Sequence, residues 1–115
     1  MESKDAVAAL AALAHEHRLS LYRLLVQAGP GGLAVGELQV RTGIAPATLT
    51  HHLHALRRAG LVVDAREGRS ITCHADYAHM NALLAFLTEN CCGDADACAP
   101  AAACRPARPN RRNRP

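Results

Sequence analysis

The chain has no tryptophan and only three aromatic residues, Tyr22, Tyr77 and Phe86, among 115. Its apolar half is mostly Ala, Leu and Val, which suits close-packed helices around a thin core. Cores of this size are often completed by oligomerisation, so a dimer is expected. Long apolar runs are missing too. The longest, "AVAALAALA" at 6–14, is preceded by the net acidic "MESKD" and followed by "HEHR", which is not a leader peptide's pattern. None approaches the roughly 18 residues that a bilayer requires, and the expected location is the cytoplasm. Catalytic signatures are also absent. No cysteine has an arginine six positions on, as an anion-cradling Cys-x5-Arg loop needs, and no nucleophile elbow is present. An enzyme is not expected.

What is plentiful is cysteine, in one place. Four of the five, Cys91, Cys92, Cys98 and Cys104, fall within 14 residues. Five cannot all pair within one chain, and a reducing compartment favours metal binding or reactivity over disulfides. Charge is also concentrated. Residues 105–115, "RPARPNRRNRP", hold five arginines and no acid, leaving 8 basic against 10 acidic residues elsewhere. This tail has nothing to bury and is expected to be disordered.

Helical spacing of Val7, Leu10, Leu13, Leu21, Leu24 and Leu25 predicts two helices over 4–28, joined near His15. "GPGG" at 29–32 breaks them. A short helix follows over 35–42 and stops at Gly43, and another runs over 46–60 with Pro46 in its first turn. The β-branched stretches 61–66 and 70–75, separated by "EGR", predict a hairpin, the only sheet expected. A last helix begins after Asp76, carries Tyr77, Met80, Leu83, Leu84 and Leu87 on one stripe, and should end at Gly93. The fold class is thus mainly α with a small β-hairpin.

Short helix, tight turn, second helix and hairpin is the order of a winged helix-turn-helix. On the second helix Thr48, Thr50, His51 and His52 gather in the N-terminal half, where side chains would enter a major groove. Leu49, Leu53 and Leu56 are expected to turn inward. Residues 41–69 carry Arg41, Arg57, Arg58, Arg66 and Arg69 against Asp64 and Glu67, a local excess that suits phosphates. Arg57, Arg66 and Arg69 are the expected phosphate ligands. A plain helical hairpin would share the order but not this sorting of faces.

The stretch "ATLTHHLHALRRAGLVVDAREGRSI" resembles the ArsR/SmtB family of winged-helix, metal-responsive repressors, whose pattern is "(S/T)HHL..L..AGLV" followed by an "R.GR" wing. "ALAHEHRLSLYRLL" is similar to that family's second helix, and the likeness spans roughly 6–90. It implies a homodimer with first and last helices at the interface, an inverted-repeat DNA operator, and release when a metal or metalloid binds. One departure is local: Ala45 and Pro46 stand where the family often has Ser and a polar residue, losing a helix N-cap.

Two inducer sites the resemblance implies are not matched. "GLAVGEL" puts Ala34 and Gly36 where one site has cysteines, and of another only Asp76 and His79 are matched, the rest falling on Ala78, Glu89 and Cys92. His79 reads as a helix-surface residue. What remains is "NCCGDADAC", where Cys91, Cys92 and Cys98 resemble the cysteines of arsenic-responsive members. As(III) and Sb(III) favour a pyramid of three thiolates, and soft thiolates select soft ions. Five residues between Cys92 and Cys98 let the third sulfur fold back. Cys91 and Cys92, about 100° apart on a helix, converge only if its last turn frays.

The expected organisation is a winged-helix DNA-binding and dimerisation domain over 1–90, a cysteine-rich inducer segment over 91–104 with Cys104 as an auxiliary thiol, and the Arg-rich tail over 105–115. Zinc or cadmium and thiol oxidation are alternative signals. Zinc is weakened by the lack of cysteine pairs two to four residues apart, and oxidation by a helix end that raises thiol pKa. A cysteine-rich metal-sequestering protein would need no sorted recognition helix. Cys73, on the second wing strand, reads as a small core residue.

Overall fold

The computed structural model describes residues 1–90. Cys91, Cys92, Cys98, Cys104 and the segment 105–115 lie outside the described residues. One compact unit spans Met1–Met80, and a second begins at Asn81. The elements are α1 (Ser3–Leu13), α2 (Glu16–Ala28), a 3-10 turn (Gly29–Gly31), β1 (Leu33–Ala34), α3 (Val35–Thr42), α4 (Pro46–Arg58), β2 (Val62–Glu67), β3 (Ser70–Ala75) and α5 (Tyr77–Leu87). No described helix is long and apolar enough to cross a membrane.

The helix boundaries follow local chemistry. His15 is extended, and its Nδ1 accepts the His17 N–H at 3.2 Å, capping α2 where the two N-terminal helices part. Gly43 adopts the left-handed conformation (φ +72°) that lets its N–H reach the Gln39 carbonyl, closing α3. Pro46 occupies the first turn of α4, where a missing N–H costs no hydrogen bond. Ala45 caps that helix with no side-chain bond, as expected. Asp76 Oδ1 accepts the His79 N–H at 3.0 Å and starts α5.

The sheet has one strand more than expected. β2 and β3 pair antiparallel from Val62 with Ala75 to Glu67 with Ser70, and Gly68 (φ +63°) holds the first central position of the turn. β1 adds a third antiparallel strand on the other side of β3, with Leu33 opposite Cys73 and Ala34 opposite Thr72. Gly32 (φ +66°) makes this approach possible: a Cβ there would lie 2.5 Å from the Cys73 carbonyl oxygen.

Leu21, Leu25, Leu38, Leu49, Leu53, Leu56, Leu61 and Cys73 are fully buried. Cys73 is thus the core residue expected. Helix α1 departs from expectation: it buries Ala6, Ala9 and Ala12, while Val7 is 64% and Leu10 44% exposed. Small side chains admit a close approach, and Ala8, Ala11 and Ala12 of α1 line a shared groove with Ala55 of α4 and Ala59, which caps the end of α4. Of the α5 stripe only Leu83 is buried; Tyr77, Leu84 and Leu87 are exposed. The Tyr77 hydroxyl donates to the Val26 carbonyl at 3.0 Å. α5 also stops at Leu87, well before Gly93. The Thr88 hydroxyl donates to the Leu84 carbonyl at 2.8 Å, and Asn90 takes a positive φ of 56°, so the backbone leaves the helix.

Candidate nucleic-acid interface

The turn from α3 to α4 is three residues, Gly43, Ile44 and Ala45. The Thr42 hydroxyl braces it, donating to the Leu38 carbonyl at 2.7 Å and accepting the Ile44 N–H at 3.2 Å. A rigid short turn fixes the angle at which α4 leaves α3. Leu49, Leu53 and Leu56 anchor one face of α4 in the core, and Thr48, Thr50 and His51 lie exposed on the other. His54 and Arg58 share the exposed side, and neither is among the DNA ligands expected from the sequence. Their signal was available: Thr50, His54 and Arg58 recur every four residues, and so fall on one helical stripe.

His52 does not belong to that face. It is 5% exposed. Its Nδ1 accepts a hydrogen bond from Arg18 Nε at 3.3 Å, and the rings of His15 and His17 stand 4.7 and 5.8 Å away, centre to centre. Covering by neighbours lowers its pKa, and the positive or ionisable groups at His15, Arg18, His51 and His17 push in the same direction. Position 52 falls three residues after Leu49, which carries its side chain toward the α2 side of the helix rather than outward.

Arg57 is likewise committed elsewhere. Its Nε lies 3.0 Å from Asp64 Oδ2 and 3.1 Å from Oδ1, and its Nη2 is 3.8 Å from Cys73 Sγ. Among the described residues this is the one side-chain ion pair. The link ties the end of α4 to β2 of the wing, so the Arg57 guanidinium is held between these two elements instead of extending freely into solvent. Burial raises the Cys73 thiol pKa, the carboxylate of Asp64 adds to that, and Arg57 opposes it. A buried, protonated thiol of this kind is a poor nucleophile and metal ligand.

Arg66 and Arg69 are exposed at the wing tip and have no acidic partner among the described residues. With Arg58 they form the free cationic groups beside the exposed side of α4. His79, expected at the helix surface, is half-buried, and its Nε2 is buried without a partner among the described residues. Its ring packs where a side chain at Gly60 would sit, 2.9 Å from an added Cβ. Asp76 is used as the cap of α5. Neither residue is presented as an open ligand. Cys91, Cys92, Cys98 and Cys104 lie outside the described residues.

Comparison with known proteins gives a coherent set of likenesses. A helix-turn-helix domain family matches residues 13–64. The chain is 33% identical over 85 residues to the transcriptional activator HlyU of Vibrio cholerae, a match covering 74% of this chain and 76% of the relative. An ArsR-like transcriptional regulator from Rhodococcus sp. RHA1 superposes with a TM-score of 0.68 at 26% identity, covering 82% of this chain and 85% of the other. A homodimeric winged helix-turn-helix DNA-binding domain from Mycobacterium bovis, described as a possible ArsR-family regulator, superposes with a TM-score of 0.59 at 30% identity, over 76% and 81% of the two chains.

Proposed function

This chain belongs to the ArsR family of winged-helix transcriptional regulators, and from that premise we propose that it is a homodimeric repressor released from operator DNA by As(III) or Sb(III). The observation that carries the DNA-binding half is the sorting of α4. Three leucines anchor one face while Thr48, Thr50, His51, His54 and Arg58 are exposed on the other, with Arg66 and Arg69 beside them on the wing. A helix so exposed fits a major groove, and the wing arginines suit adjacent phosphates.

The dimer is supported by the homodimeric relative and by apolar side chains left exposed on α1, Val7 and Leu10, and on α5, Leu84 and Leu87. Two recognition helices related by a two-fold axis read an inverted repeat with half-sites about 34–36 Å apart. The inducer half rests on donor chemistry. Cys73, the one cysteine among the described residues, is buried, raised in pKa and in contact with Arg57, so it is unsuited to sensing. That leaves Cys91, Cys92 and Cys98 as three soft thiolates for an ion that favours three, with Cys104 as auxiliary.

The test is fluorescence anisotropy on a duplex selected from random sequence, titrated with As(III). Changing Cys91, Cys92 or Cys98 to Ser should leave duplex affinity intact and abolish release, whereas Cys104→Ser and Cys73→Ser should release as the parent does. Coupling of this kind is typically worth about 5- to 150-fold in affinity. The double change Thr50→Ala with His51→Ala should weaken duplex binding and leave arsenic uptake untouched. Release that survives every single cysteine change would overturn the three-thiolate sensor, and release by Zn(II) or peroxide alone would reassign the signal.

A further inference from the structure

Ahead of the start of α4, the flank of α2 and the end of α3 enclose a groove of about 360 Å³ that neither the DNA-facing residues nor the cysteine segment uses. Helical spacing makes its α2 wall: Ser20, Leu24 and Gln27 recur every three or four residues, with Arg23 beside them. Arg41, Thr42 and Ile44 form the opposite wall, where α3 ends and the turn leads into α4.

The charge of this lining is one-sided. Arg23 and Arg41 are both exposed, and neither has an acidic partner among the described residues. Glu37 stands one turn before Arg41 on α3, at the spacing where an ion pair forms on a helix surface. Its Oε1 instead accepts the Ala34 N–H at 3.1 Å, so that carboxylate is spent on the N-cap of α3. Among the described residues no carboxylate lines the groove. The Thr42 hydroxyl is also taken, by the Leu38 carbonyl and the Ile44 N–H. Ser20 and Gln27 are the neutral donors that the lining still offers.

We propose that this groove binds a phosphoryl anion, with Arg23 and Arg41 as its two charged ligands and Ser20 and Gln27 completing the donor set. A guanidinium stays protonated at any working pH, and its fork meets phosphate oxygens in pairs. A carboxylate presents one edge to one fork, whereas a phosphoryl group has oxygens for two. The volume lies within the range of small-ligand clefts, about 300–1,000 Å³. A phosphate ester therefore fits with its carbon skeleton against Leu24 and Ile44. Two sources share this chemistry: a backbone phosphate of the duplex that α4 enters, and a free phosphate ester acting as an effector. The first rests on the DNA-binding reading; the second does not. Neither shares a residue with Cys91, Cys92 or Cys98.

The experiment titrates inorganic phosphate into the full chain by calorimetry at constant ionic strength, and then measures duplex affinity across salt concentrations. One phosphate per chain is expected. Arg23→Gln and Arg41→Gln should each weaken its binding about tenfold, the usual worth of a hydrogen bond to a charged group. Lys4→Gln removes the same charge from the exposed start of α1 and should bind as the parent does. If DNA supplies the phosphate, the double arginine variant flattens the salt slope by up to about 1.8, for two grooves in a dimer. If a free ester does, the slope stays and phosphate uptake alone is lost. No phosphate uptake together with an unchanged slope, uptake that both arginine changes leave intact, or an equal loss in Lys4→Gln would each overturn the site. A parent that binds no duplex would remove the DNA-binding reading, and the phosphate titration would still decide the groove.

Discussion

Arg57 separates a sequence-based account of the DNA interface from the structural one. By position it is a cation at the end of the recognition helix; in the fold it is held at 3.0 Å by Asp64. A chain that neutralises Z phosphates shows a slope of log affinity against log salt of about −0.9Z. If Arg66 and Arg69 each meet a phosphate, Arg66→Ala with Arg69→Ala removes four contacts from a dimer and flattens the slope by up to about 3.6. Arg57→Ala removes as many charges per residue but no phosphate contact, and should change the slope by less than about 0.5. Asp64→Asn releases the guanidinium beside the wing and should steepen the slope, by up to about 1.8 for two freed cations. The side chains of the pair are 28% and 37% exposed, so solvent screens the bond and its loss should cost only about 0.5 kcal/mol of stability. The assay is duplex affinity by fluorescence anisotropy at salt concentrations from about 50 to 200 mM. An Arg57→Ala slope as flat as that of the wing variant would refute the assignment of Arg57 to the internal link.

Two glycines predict opposite signs in chemical denaturation. Gly32→Ala places a Cβ 2.5 Å from the Cys73 carbonyl at a positive φ and should cost about 2–4 kcal/mol, whereas Gly36→Ala, inside α3 with nothing within 4 Å, should gain about 0.5–1 kcal/mol. A neutral Gly32→Ala would remove the close approach that admits β1. His52 should make stability depend on pH. Its pKa in the folded chain is below the ordinary 6.5, so the unfolded chain takes up the proton first; stability is intact above pH 6.5 and declines as pH falls below it. Urea midpoints across that range should fall less for His52→Gln than for the parent, and parallel declines would assign the effect to another group. Deleting 105–115 removes five arginines; it should flatten the salt slope and keep the ranking of duplex sequences, and a lost ranking would show that the segment reads bases.

The sequence by itself determined the parts whose causes are local. Pro46 and Gly43 mark the edges of α4 and α3 because one lacks an N–H and the other tolerates positive φ, and both limits hold whatever the surroundings. The leucine spacing of α4 gave its buried face, and the exposed Thr50 and His51 followed from the same periodicity. Tertiary structure decided what depends on partners distant in the chain. A two-residue strand has no period to detect, and β1 exists only because Gly32 lets Leu33 and Ala34 reach the backbone of Cys73 and Thr72. α1 turned its alanines inward because small side chains allow a close helix approach, a preference that hydrophobicity alone reverses. His52 and Arg57 have the composition of DNA ligands, yet each is claimed by side chains of another element, His52 by Arg18 of α2 and Arg57 by Asp64 of β2 and Cys73 of β3. Helical periodicity assigns a residue to a face, but a polar group's partner is set by which elements the fold brings within about 3 Å of it.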